Sequence, residues 1–141
     1  MTNFDEIVFP IKNTNRVFFD YPTFNQYVSK TVIYPDVVSH IIKTIQNVLK
    51  DNETFEIHVN LYSFNTSSLA KHTDFLRIFA SYSNLFGKKL THFYVYYTPS
   101  IMDLILKIIS TQIFNRENEP PQLITYSKKD SAEHLRELSV S

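Results

Sequence analysis

Between Phe55 and Ala80 the spacing of apolar residues changes. Phe55, Ile57, Val59 and Leu61 alternate with Glu56, His58, Asn60 and Tyr62. Successive side chains of an extended chain point to opposite faces, so this alternation is a strand with one buried side. Further on, Leu69, Phe75, Leu76 and Phe79 fall on one side of a helix. Four small polar residues, Asn65, Thr66, Ser67 and Ser68, lie between the two patterns. A strand that enters a helix through such a turn leaves the first N–H groups of the helix without intrahelical partners. These residue types cap those groups, and the same groups can hold an anion or a phosphate. The residues alone leave both readings open.

The remainder of the chain supplies more of both patterns. Glu6–Ile11 and Arg16–Asp20 are β-prone and are separated by turn material at Asn13–Asn15. Pro10 suits a strand edge or end. Thr31–Tyr34 reads as a short extended piece closed by Pro35, so residues 1–34 are expected to hold N-terminal strands and irregular connections. Pro35–Lys50 is the clearest helix, with Val37, Val38, Ile41, Ile42, Ile45, Val48 and Leu49 on its apolar stripe. The helix after the turn is expected to end near Tyr82–Phe86, before Gly87. Leu90–Thr98 reads as a strand, Ser100–Phe114 as a helix and Asn115–Pro121 as a polar loop. Gln122–Tyr126 reads as a short strand. Asp130–Leu138 reads as a final helix, with Asp130 and Glu133 spaced like a capping box.

Strands that alternate with helices imply right-handed crossovers and a mainly parallel sheet. Strands buried on both faces would be continuously apolar, and these are not. The expectation is therefore one α/β domain over 1–141, in two layers, with helices packed on one face of the sheet. The other face would carry His58, Asn60 and Tyr62 beside His92, Tyr94 and Tyr96.

Composition narrows the function classes. The 141 residues carry a formal net charge of zero, which argues against an electrostatic grip on nucleic acid or anionic membrane. A single glycine, Gly87, excludes Gly-rich phosphate loops. The absence of cysteine excludes disulfides and thiolate metal sites and suits a reducing compartment. No apolar run is long enough to cross a bilayer, and the start of the chain lacks the pattern of a signal peptide. A cytoplasmic location is expected, with a virion as the alternative. Abundant Phe, Tyr, Ile, Asn and Lys suggest an AT-rich genome, microbial or viral.

No catalytic constellation is evident, and neither cofactor nor metal is expected. None of the five histidines has the i, i+4 spacing of a zinc-binding helix. His58 and His92 on neighbouring strands would be a metal pair only with a carboxylate, and none is placed with them by the sequence. The turn at Thr66–Ser68 lacks the glycines of a nucleophile elbow. Tyrosines on an open sheet face suggest a protein partner or a second copy of the chain. His58, Tyr62, His92, Tyr94 and Tyr96 are the candidate partner face.

The element order, with its hydroxyl-rich turn after a central strand, resembles the STAS fold of anti-sigma-factor antagonists. The sequence Tyr62-Ser63-Phe64-Asn65-Thr66-Ser67-Ser68 is closer to the Tyr-Phe-Asn-Thr-Ser-Ser turn of SiaC-type regulatory phosphoproteins, with one residue inserted. The resemblance implies a non-enzymatic regulatory module that binds a kinase, a phosphatase and an effector protein. By position it makes Thr66 the phosphoacceptor; by analogy with the anti-sigma antagonists it makes Ser67 the acceptor. Thr98, Pro99 and Ser100 stand where SiaC-type proteins have an acidic run. Two other readings follow from composition and architecture: a structural assembly protein of a virion, and a carrier of a small hydrophobic ligand or lipid, as in the related sheet of CRAL-TRIO domains.

Overall fold

The computed structural model describes residues 4–28, 33–82, 87–113 and 121–138. Five strands form one sheet in chain order: β1 (Val8–Pro10), β2 (Arg16–Asp20), β3 (Phe55–Asn60), β4 (Leu90–Tyr96) and β5 (Gln122–Thr125). β1 and β2 are an antiparallel hairpin, and every later pair is parallel. The hairpin turns at Asn13, whose φ of 64° is in the left-handed region that asparagine tolerates.

Helices α2 (Tyr34–Val48), α3 (Thr66–Ser81) and α4 (Met102–Ile113) make the crossovers between parallel strands. Each crossover moves one strand along in the same direction. Crossovers of one hand therefore place all three helices on one face, called here the front. Val17, Ile57, Phe93 and Val95 of the strands meet Ile41 of α2, Phe75 of α3 and Ile105 of α4 in a single apolar core. The α/β class and the mainly parallel sheet are as the alternation of elements predicts.

Several local readings change. A short helix, α1 (Tyr21–Tyr27), follows β2 directly where irregular connection was expected. The carboxylate of Asp20 caps it, accepting from the N–H and the hydroxyl of Thr23, and Pro22 fits its first turn. Tyr34 is not the end of an extended piece: it opens α2 and is buried. Thr31, the helix end over 83–86 and most of the Asn115–Pro121 loop lie outside the described residues.

The last helix, α5 (Lys128–Glu137), starts earlier than expected. Ser127 is its cap, accepting from the N–H of Asp130, so Asp130 and Glu133 do not form a capping box. Among the described residues no strand follows α5, so the handedness rule does not place it. It packs across the back of the sheet, where Leu135 and Leu138 join Ile11, Phe18 and Tyr96 in a second, smaller cluster.

Candidate functional site

The turn between β3 and α3 is built by two anchors and one cap. Phe64 is buried in the front core and meets Tyr21 edge-on at 4.9 Å. It precedes the cap residue, and Leu69 at the fourth helical position packs on the same core, as in a hydrophobic staple. Asn65 has extended backbone, and its Oδ1 accepts from the Ser68 N–H at 3.1 Å. Ser68 Oγ accepts in return from the Asn65 N–H at 3.2 Å. This reciprocal pair satisfies two of the orphan donors at the helix start.

The cap therefore divides the four predicted site residues. Asn65 and Ser68 hold the turn, and Ser68 is buried, so it does not present its hydroxyl to a partner. Thr66 and Ser67 are exposed on the first turn of α3 and take no part in the capping box. Tyr62, 57% exposed, precedes them in the same connection between β3 and α3. It meets Tyr97 edge-to-face at 5.2 Å. This cluster lies beyond the carboxyl ends of β3 and β4, where open parallel sheets place their ligands. Ser63 and Tyr97 both have positive φ, 67° and 53°. For a residue as large as tyrosine that conformation costs about 1–3 kcal/mol. The Tyr97 N–H donates to Ser131 Oγ of α5 at 2.6 Å, which helps to hold it there.

The predicted partner face on the back of the sheet is only partly open. His58 and Tyr96 are each 2% exposed and do not reach a partner in this arrangement. Tertiary packing covers them. Tyr96 lies in the cluster that α5 closes, and His58 stacks flat against Tyr94 at 4.1 Å. His92 and Tyr94 are half-buried at the rim of that stack. The parallel register sets Glu56 opposite His92, and His58 opposite Tyr94.

Glu56 thus lies between the two histidines, a carboxylate that the sequence did not place with them. Its Oε1 accepts from His58 Nε2 at 2.9 Å, and Arg16 Nε lies 3.4 Å from the same oxygen. A carboxylate only accepts, so His58 carries its proton on Nε2. Nδ1 then accepts from the Tyr96 hydroxyl at 2.7 Å. Burial lowers the His58 pKa, with Glu56 opposing it. Burial raises that of Tyr96. The arrangement is a satisfied polar core, and both nitrogens of His58 are occupied. Among the described residues no group of three or more potential ligands is arranged to hold a metal ion.

A second buried histidine, His72, lies outside the predicted site residues. α3 departs from helical geometry there (φ −111°, ψ 17°). The ring lies in the front layer, with Nδ1 2.7 Å from the Tyr34 hydroxyl and Nε2 3.3 Å from Asn25 Oδ1. Burial, with Lys71 nearby, lowers its pKa to about 4. The position offers no sequence signal, because the polar residue interrupts the apolar stripe rather than continuing it. Beside it, between the sheet and helices α3 and α4, lies an apolar cavity of about 90 Å³. Left unfilled, a cavity of that size costs about 2 kcal/mol.

Comparison of the chain with protein-family models, with curated proteins and with solved structures finds no match.

Proposed function

We propose that the chain is a non-enzymatic protein-interaction module of the STAS and SiaC type, switched by phosphorylation of Thr66 or Ser67. One observation carries this reading: the capping box consumes Asn65 and Ser68 and leaves the two hydroxyls between them exposed at a helix start. A phosphate there faces first-turn N–H groups and the positive end of the helix dipole, so the fold tolerates it. To a docked protein it presents nearly two added negative charges. Exposed Tyr62 extends the same surface with the kind of side chain that interfaces favour.

The test is intact-mass and phosphosite analysis of the protein purified from its native host, followed by capture of partners on wild type and on Thr66→Asp and Ser67→Asp. The expected result is a phosphate on one of the two residues and a partner gained or lost by the matching variant. An unmodified turn, with the same partners on all three proteins, overturns the reading.

A further inference from the structure

We propose that the cavity between the front of the sheet and helices α3 and α4 is a binding site for a small uncharged apolar molecule of up to about six heavy atoms. Its walls are Val59 and Val95 of the sheet, Phe75 and Phe79 of α3, and Met102 and Ile105 of α4. Two polar side chains also reach the wall, and both are already engaged. The Tyr21 hydroxyl interacts with Ser68, and His72 is hydrogen-bonded to Tyr34 and Asn25. No donor, acceptor or charge is left over for a polar occupant. An ionised molecule placed there would lose its hydration and gain nothing in return.

At about 90 Å³ the space is several times what one water molecule needs. Water is held inside proteins by two to four polar partners, and this lining offers none that is free. An apolar molecule needs only contact surface, which the valines, phenylalanines and isoleucine supply. Met102, unbranched and adaptable, can follow the shape of what it covers. α3 loses helical geometry at His72, which is on the cavity wall. Interiors pack with few spaces larger than a water, so a cavity of this size departs from ordinary core packing. Phe64, an anchor of the turn, is also on the cavity wall, but Thr66 and Ser67 are not, and binding does not require their modification.

The test is a titration of the full chain with xenon and with benzene, followed by methyl NMR at Val59, Val95, Met102 and Ile105. Benzoate serves as the charged control. The expected result is saturable shifts at these methyls with at least one of the two apolar probes, none with benzoate, and a thermal midpoint that rises with the concentration of the probe that binds. Val95→Leu, which fills the space from the sheet side, is expected to weaken binding at least tenfold while leaving the thermal midpoint without ligand equal or higher. Ile105→Phe fills it from the helix side if Val95→Leu does not fold. Absence of saturable shifts with both apolar probes, or equal shifts with benzoate, overturns the proposal, and the wild-type titration decides this alone.

Discussion

Two histidines are buried on opposite sides of the same sheet, each with a tyrosine hydroxyl 2.7 Å from Nδ1. His58, on the back, lies flat in a stack of rings and gives its other nitrogen to the carboxylate of Glu56. His72, on the front, meets Phe24 edge-on at 4.9 Å and gives its other nitrogen to the neutral amide of Asn25. Burial disfavours the charged ring in both places, but only on the back does a carboxylate work against it. The two layers differ in the same way as a whole. The front is held by apolar volume, and the back by a satisfied polar network under a short, mostly polar helix. Burying a histidine is therefore not one physical situation: the partner of the second nitrogen decides how its charge responds to pH.

The sharpest way to separate the layers is to remove volume from each. Phe75→Ala, in the front core, is expected to cost about 3–5 kcal/mol in urea unfolding. Leu138→Ala, at the end of α5, is expected to cost about 2 kcal/mol, near the lower end of such substitutions. Equal losses would mean that the back layer is as firmly packed as the front.

Acid is expected to act next. The folded pKa of His72 lies below its unfolded value of 6.5. Its contribution is complete above pH 6.5 and falls away as the pH drops towards about 4, because the unfolded chain then binds the extra proton. The loss is about 2–3 kcal/mol, read as a fall in urea midpoint, and His72→Gln should flatten it. A slope unchanged by His72→Gln would assign the acid sensitivity elsewhere.

Hydroxyl removal comes third. Tyr96→Phe leaves Nδ1 of His58 without its donor, and Tyr34→Phe removes the hydroxyl shared by His72 Nδ1 and the Lys71 carbonyl, at about 1–2 kcal/mol each. The tyrosine hydroxyl bonds to the neutral ring, so Tyr96→Phe should raise the His58 pKa, whereas Glu56→Gln should lower it further. Proton NMR of the imidazole checks both signs, and a shift in the other direction in either variant would break the hydrogen-bond assignment.

The smallest effects belong to the turn. Asn65→Ala is expected to cost about 1 kcal/mol through loss of the cap. Thr66→Ala and Ser67→Ala should stay within about 0.5 kcal/mol. Thermal unfolding separates the two classes. A large loss at Ser67 would place its hydroxyl in the fold rather than on a surface to be read.

Much of this molecule is legible as a sequence. The strand from Phe55, the turn at Asn65–Ser68, the stripe of α2 and the helix after Pro99 follow from local spacing and turn chemistry, which any chain with those residues in that order would share. Short elements leave fewer repeats to read, and α1 over Tyr21–Tyr27 escaped for that reason. The divided roles of Asn65–Ser68 were not legible either, because four adjacent polar residues look equivalent until a backbone decides which of them can reach an N–H.

The sequence by itself determined the alternation of elements, the parallel sheet it implies and the polar turn at a helix start, since these rest on side-chain period and on the handedness of L-residues. The tertiary structure alone decided that α5 crosses the back of the sheet, that Glu56 lies between His58 and His92, and that His72 breaks α3 beside a cavity. Those outcomes depend on contacts between residues far apart in the chain, where packing and desolvation choose the partner and local pattern has no say.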